Sequence, residues 1–363
     1  CRRWFHGSGV SEPSSAISPR LRVPGSRCRS PGVEGGSTAA ACPNFLTITQ
    51  LSLRIFFAKL VNSDDSVYPG ARASVLMHNV TTLRLIHLNV HRFTSVEPVS
   101  AAGAAAAATT SLVADALSAF SPDVVTLNEV DVRHRPGCLE AVADALSLPF
   151  VEFFGHVRGS YGNAILSKYP LTRLAAVRLD GGTEFQFPAG TKKFNGDIAK
   201  ENESHRIVRG LLITDVELPG SVFLRLGITH LDHMDVEQRK KQLRHIVKEF
   251  DALDHGEYEM EEEKTKKKHS TGSLLMGDLN ALIREDYSAQ EWQRLEERAR
   301  SRDWQLPQSG DLQILRDSKF EDVAVMVAGS EAAGQLENEY SKGVRLRTAP
   351  ARDPMYRIDY GWW

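Results

Sequence analysis

Short apolar runs that stop at a polar residue recur along this chain, and they confine it to an architecture of buried strands. Leu274-Leu275-Met276 runs into Gly277-Asp278-Leu279-Asn280. This reads as a short buried strand that ends by projecting a carboxylate and a carboxamide into a turn. On an extended segment two residues two positions apart share a face, so Asp278 and Asn280 are expected side by side. A carboxylate is a hard oxygen ligand for Mg²⁺ or Mn²⁺, and an amide can donate to a phosphate oxygen. A Gly-Asp turn after an apolar strand is also ordinary turn chemistry, so the tetrapeptide alone leaves both readings open.

Four other runs end the same way. Asn89 follows Ile86-His87-Leu88, Glu129 follows Val124 to Asn128, His230 follows Leu226 to Thr229, and Asp359 follows Arg357-Ile358. Between them lie helical patterns. The Ala-rich stretch 101–120 and the segment 137–146 predict helices. So do 235–253, with apolar positions at Val236, Leu243, Ile246, Val247 and Phe250 behind Asp235 as N-cap, and 289–302 around Trp292 and Leu295. Further strands are predicted at 150–154, 164–167, 171–179, 207–216 and 222–228. Strands alternating with helices predict an α/β fold, in which function gathers where strands end. Together the five ends supply the parts for metal-assisted phosphoester hydrolysis: an Asn and a Glu for a divalent ion, an Asp and Asn pair, and a His.

Composition sets limits around this reading. Of 363 residues, 42% are apolar and 25% charged, which is enough for a sizeable core, and no stretch is long and apolar enough for a membrane span. Residues 1–82 are rich in Ser, Pro, Gly and Arg, with nine Lys or Arg and four acids, and are read as a disordered leader. An organelle transit peptide is the alternative. The domain is expected over 83–363. There, 35 Lys and Arg stand against 42 Asp and Glu, a mild argument against long nucleic acid as partner. Three of four cysteines (Cys1, Cys28, Cys42) lie in the leader and only Cys138 in the body, so no disulfide framework is predicted. An intracellular location is favoured and no protein partner is inferable.

Several polar groups carry a second reading. His230-Leu231-Asp232-His233 with Asp235 lacks a defined third zinc ligand, so Asp232 and His233 are expected to start a helix. Arg206 and Arg209 are expected as a surface pair at a sheet edge, with phosphate as the alternative. Residues 181–205 are expected as a long surface loop and, with 281–320, as the segments that decide substrate choice. The acid-then-lysine block 257–268 is read as a solvated connection.

Taken in order, Leu88-Asn89-Val90, Leu127-Asn128-Glu129-Val130, Gly162-Asn163-Ala164-Ile165-Leu166-Ser167, Thr229-His230-Leu231, Gly277-Asp278-Leu279-Asn280 and Arg357-Ile358-Asp359-Tyr360 resemble the successive motifs of the endonuclease/exonuclease/phosphatase superfamily, the fold of pancreatic deoxyribonuclease. The resemblance covers roughly 83–360. It implies a four-layered α/β sandwich, two mixed sheets packed face to face and flanked by helices. It also implies divalent-metal-dependent hydrolysis of a phosphoester, either nucleic acid or a small phosphodiester or phosphomonoester. Glu129 would then be the principal Mg²⁺ (or Mn²⁺) ligand with Asn89 beside it. Asp278 would join the metal site and orient or deprotonate the attacking water. Asn280 would hold a non-bridging phosphate oxygen, His230 would donate to another, and Asn163 would line the substrate cleft or bond at its strand start. The family's closing Ser-Asp-His segment does not occur in the sequence, so Asp359 is expected without its partner. A C-terminally truncated chain, or a catalytically impaired scaffold of the same fold, is the alternative this departure implies.

Overall fold

A computed structural model of the chain describes residues 49–60, 75–93, 102–186, 189–190, 200, 204–219, 222–255, 270–302, 304–328 and 356–363. The first sheet is built from β1 (Thr49–Leu60), β2 (Val75–Asn89), β3 (Val124–Asp131), β4 (Phe150–Val157) and β5 (Tyr161–Ser167). The second is built from β6 (Leu171–Arg178), β9 (Gly210–Leu218), β10 (Val222–His230), β11 (Ser270–Asp278) and β12 (Asp359–Trp362). Two short strands, β7 (Glu184–Gln186) and β8 (Ser204–Arg206), pair separately. The strand orders are β1-β2-β3-β5-β4 and β12-β11-β10-β9-β6. Both sheets are mixed, because β2 with β3 and β10 with β11 run parallel while the other pairs are antiparallel.

Side-chain alternation sorts the strands into layers. On β2, Leu83 and Leu85 join Val124, Ile165, Leu212, Leu224, Leu226, Ile228, Leu274 and Met276 in the apolar layer between the sheets. The intervening Ile86 and Leu88 face the other way. They pack with Val125, Leu127 and Leu166 against Val113 and Leu117 of α1 (Ala102–Ser118) and Leu139 and Val142 of α2 (Cys138–Leu146). On the far side, Leu211, Ile213, Leu275, Tyr360 and Trp362 pack against Leu243, Ile246 and Phe250 of α3 (Val236–His255) and Leu315 of α5 (Gln313–Asp317). The result is the expected four-layered sandwich. Burying strands on both faces is what makes their runs nearly all apolar. A side cluster of Leu282, Tyr287 and Leu295 seats α4 (Ala289–Ser301), whose start is a capping box between Ser288 and Glu291. A sixth helix, α6 (Val323–Ala328), follows before β12.

Two expectations need adjustment. The boundary at 83 falls inside β2, and Thr49–Leu60, within the segment read as a leader, is a strand paired antiparallel to β2. Residues 181–205 are not structureless: β7 and β8 pair there, because Phe185 and His205 alternate inward between exposed neighbours and stack at 6.0 Å. The acid-lysine block 257–268 lies outside the described residues. Asp235 does cap α3, its carboxylate accepting from the N–H groups of Glu237 and Gln238.

Candidate active site

Along the inward faces of the sheets the apolar layer gives way to polar residues at one end. On β2, Leu83 and Leu85 are followed by His87 and Asn89. On β3, Val124 is followed by Thr126 and Asn128. On β10, Leu226 and Ile228 are followed by His230. On β11, Leu274 and Met276 are followed by Asp278. Period-two alternation therefore carries these groups to one place without any special backbone. Asp278 is the register partner of both His230 on β10 and Asp359 on β12, which puts one imidazole and two carboxylates in a row.

Glu129 reaches the same place by a different route. Plain alternation after Asn128 would turn it toward the helix side. Instead the β3–β5 pairing slips between Leu127 and Val130, and Glu129 takes a left-handed backbone with φ 59°. Its carboxylate then accepts from Asn89 Nδ2 at 3.0 Å and lies 3.2 Å from His91 Nδ1. A left-handed non-glycine residue costs about 1–2 kcal/mol and persists where its surroundings over-determine it. Here Asn89 does so from both ends, since its Oδ1 accepts from the His91 N–H at 3.0 Å. His91, Arg92 and Phe93 are left-handed as well, and the turn they form is anchored by fully buried Phe93.

Asn89 Nδ2 also donates to Asp278 Oδ2 at 3.2 Å, so oxygens of Glu129 and Asp278 converge on one point. His230 borders both, with Nδ1 3.8 Å from Glu129 Oε1 and Nε2 3.9 Å from Asp278 Oδ2. The two carboxylates are held in opposite states. Burial works against the Glu129 charge, but the hydrogen bond and charge of His91 and the Asn89 amide outweigh it and hold its pKa well below the usual range. Asp278 is pushed well above its ordinary value, first by burial and then by the Asp359 charge. Such a pair, one ionised and one primed to hold a proton, is the usual arrangement for acid-base work.

The oxygen-rich set of Glu129, Asp278 and the Asn89 amide suits Mg²⁺ or Mn²⁺, which prefer hard oxygen ligands and complete their shells with water and substrate. Among the described residues no three His, Cys, Asp or Glu side chains form a closed cage. The Glu129 and Asp278 oxygens both accept from Asn89 Nδ2, so an Mg²⁺ ion between them would take the place of that N–H contact, and with that exchange the hard-oxygen set fits such an ion.

Asn280 is not extended. With φ 48° it turns back, its N–H donating to Asp278 Oδ1 at 3.0 Å and its amide to the Leu231 carbonyl at 3.1 Å. It therefore flanks Asp278 through an Asx turn and does not share a strand face with it. Asn163, expected along a substrate cleft, is fully buried. It accepts from Asn128 Nδ2 at 2.9 Å and donates to the Gly210 carbonyl at 2.9 Å, while Asn128 Oδ1 accepts from the Asp278 N–H at 2.9 Å. These two amides form a buried relay that pins the sheets to each other behind the site, which is the second of the two roles open to Asn163.

Asp359 faces inward, and His87 Nε2 lies 3.4 Å from its Oδ1 while His87 Nδ1 pairs with Thr126 Oγ1 at 3.0 Å. His87 was hidden in the sequence as one polar residue in an apolar strand. The neighbours of Asp359 are structural: Arg357 donates to Asp322 at 2.6 Å, and the Tyr360 hydroxyl donates to the Arg357 carbonyl at 2.9 Å. Asp232 lies at the helix entry as expected, ahead of the Asp235 cap, fully buried and accepting from Thr183 and Met234. The pairing of Arg206 with Arg209 at a sheet edge does not hold. Arg206 is exposed, but Arg209 is buried and donates to His230 Nδ1 at 3.1 Å and His233 Nδ1 at 3.2 Å. A guanidinium survives there because two imidazole nitrogens accept from it.

A profile of the Endonuclease/Exonuclease/phosphatase family matches residues 86–360, from inside β2 to inside β12. The chain belongs to the endonuclease/exonuclease/phosphatase family. This family comprises metal-dependent phosphoester hydrolases, and the two mixed sheets with outer helices are its fold. Similar solved structures include an endonuclease/exonuclease/phosphatase from Beutenbergia cavernae (19% identity, 77% of this chain and 63% of that one, TM-score 0.42). Others are D. rerio TDP2 complexed with a single-strand DNA product (15%, 77% and 82%, TM-score 0.38) and the human Nocturnin catalytic domain with bound sulfate (13%, 69% and 72%, TM-score 0.37). The chain thus spans 63% of the length of the Beutenbergia family member. No curated protein matches the sequence at a significant level. No helix among the described residues is long and apolar enough to cross a membrane.

Proposed function

We propose that this family member hydrolyses a phosphoester with a water nucleophile and a divalent cation, Mg²⁺ or Mn²⁺, without a covalent enzyme intermediate. The observation that carries the reading is the convergence of four side chains at the polar end of the inter-sheet layer, where Asn89 and His230 each lie within 3.0–3.9 Å of both Glu129 and Asp278. Glu129, with Asn89 and Asp278, would hold the cation. Bound there, such an ion supplies positive charge at the phosphoryl oxygens and acidifies a coordinated water.

The chain's own groups account for the rest. Asp278, whose carboxyl burial and Asp359 make more basic than usual, takes the proton of the attacking water or orients it. His230 is held neutral, because burial and then the Arg209 charge push its pKa well down, so it acts as a hydrogen-bond donor. Charge building on the non-bridging oxygens in the transition state would be met by His230 and by the second amide proton of Asn280, whose first goes to the Leu231 carbonyl. The substrate is a nucleic acid or a small phosphodiester or phosphomonoester, with intracellular location favoured.

Purified chain assayed on bis(p-nitrophenyl) phosphate and on p-nitrophenyl phosphate, with Mg²⁺, with Mn²⁺ and with EDTA, tests this. Hydrolysis that needs the cation and is lost in Glu129→Ala is the expected result. Cation-independent turnover, or none on either ester, sinks the reading. The second reading, a catalytically impaired scaffold, draws on the engagement of Asp359 by His87 from within the sheet layer, and a silent enzyme would favour it.

A further inference from the structure

Arg209 precedes β9 and has its backbone fixed by the Leu179 N–H, which donates to its carbonyl at 2.9 Å. Its side chain is buried, and its two terminal nitrogens reach one imidazole each: NH1 to His230 Nδ1 at 3.1 Å and NH2 to His233 Nδ1 at 3.2 Å. A guanidinium has five N–H donors and no acceptor. Whichever nitrogen of His230 faces it must therefore be the unprotonated one, and that nitrogen is Nδ1. The single ring proton is left on Nε2.

The alternative tautomer has an evident attraction of its own. His230 Nδ1 lies 3.8 Å from Glu129 Oε1, so a proton on Nδ1 would be drawn toward that carboxylate. Nε2 would then be an acceptor, facing the site beside Asp278 Oδ2 at 3.9 Å, with nothing to give an anionic oxygen. The two tautomers differ in whether this imidazole can donate into the site at all. Arg209 decides between them, because its N–H already occupies the direction in which Nδ1–H would point.

We propose that Arg209 is a positioning residue that locks His230 in the Nε2–H tautomer, and that it makes His230 a one-way donor toward the reacting phosphate. The second half rests on the reading of the site given above. The first half does not, since it concerns only where a proton sits. Arg209 itself touches no substrate in this scheme. His233 is the outer support that keeps the guanidinium in its plane.

The test reads the proton directly. Full-length chain carrying ¹⁵N-labelled histidine is examined by long-range ¹H–¹⁵N correlation, with the His230 ring assigned by its disappearance in His230→Gln. In the wild type, Nδ1 is expected to be of the unprotonated type and Nε2 of the protonated type. In Arg209→Met, which keeps the apolar stem and removes every donor, the Nδ1–H tautomer is expected to gain population. On bis(p-nitrophenyl) phosphate the same variant is expected to lose about 10²-fold in kcat with KM little changed, the loss of one transition-state donor. Arg209→Lys restores a donor to Nδ1 and should recover both the tautomer and part of kcat. A wild-type His230 protonated on Nδ1 overturns the proposal, and that measurement needs no variant to fold. An unchanged tautomer in Arg209→Met overturns it as well. If the wild type shows no cation-dependent hydrolysis, the proposed function fails while the tautomer spectrum still decides the role of Arg209.

Discussion

Asp278 and Asp359 sit directly opposite each other as register partners on β11 and β12, two carboxylates on the same face of one sheet. Like charges placed across a pair of strands are unfavourable by a few tenths to about 1 kcal/mol, and here the Asp359 charge helps push Asp278 well above its ordinary pKa. In the proposed hydrolysis the raised pKa has a use, since it makes the Asp278 carboxylate basic enough to accept a proton. Asp359→Asn keeps an oxygen for His87 and removes the repulsion. The variant is expected to be more stable by about 0.2–1 kcal/mol in urea unfolding without added cation, and less active. A loss of stability would show the pair to be held together by more than it repels.

Gly277 stands one residue before this pair, opposite Thr229 on β10. A Cβ built on it would lie 1.9 Å from the Thr229 carbonyl oxygen, a backbone atom that cannot move aside without breaking the ladder. Gly277→Ala should cost about 3 kcal/mol or more by overpacking, read as a fall in the urea midpoint, and should misplace His230 and Asp278 together. A midpoint within experimental error of wild type would mean that β10 and β11 can part at this point without consequence.

How much of this was readable beforehand follows from which residues obey alternation. Asn89, His230 and Asp278 end apolar runs on their inward faces, so counting by twos along each strand finds them. Glu129 was legible as a strand-end carboxylate, but its direction depends on a bulge and a left-handed φ that no periodicity encodes. Arg209 could not be told from Arg206, because both precede an apolar strand and differ only in what lies across from them in space. The Asn128–Asn163 relay joins residues 35 apart, and its far end lies on the other sheet. The pairing of β1 with β2 was missed for a compositional reason: a short apolar stretch, Thr49–Leu60, is embedded in a Ser-, Pro- and Arg-rich segment.

The left-handed backbone of Glu129 makes a prediction that inverts the usual rule for strands. In an extended segment Gly is less stable than Ala, because it has more freedom to lose on folding. At φ 59° Ala carries the left-handed penalty and Gly does not. Glu129→Gly is therefore expected to be more stable than Glu129→Ala by about 1 kcal/mol, although both lack the carboxylate and should be equally inactive. Matched chemical denaturation of the two variants measures the difference. The opposite order would mean that the bulge relaxes to an ordinary strand once the carboxylate is gone.

His156 gives the clearest dependence on pH. It is buried against Phe154 and Tyr161, and neither ring nitrogen makes a well-formed hydrogen bond among the described residues. Burial, reinforced by the charges of Arg209 and Arg178, lowers its pKa to about 3 from an ordinary 6.5. Because the folded value is depressed, the unfolded chain binds a proton that the folded chain refuses once pH drops below 6.5. Stability is thus unaffected by His156 above that value and falls as pH descends toward about 3, by up to about 1.4 kcal/mol per pH unit. Asp278, with its raised pKa, tilts the same window the other way, so wild type alone is a poor gauge. His156→Leu leaves Asp278 in place and removes the titrating imidazole. Between about pH 7 and about pH 5 its stability should gain on wild type by about 2 kcal/mol, measured from urea midpoints at each pH. Parallel pH profiles for the two proteins would mean that His156 takes up a proton in the folded state as readily as in the unfolded chain.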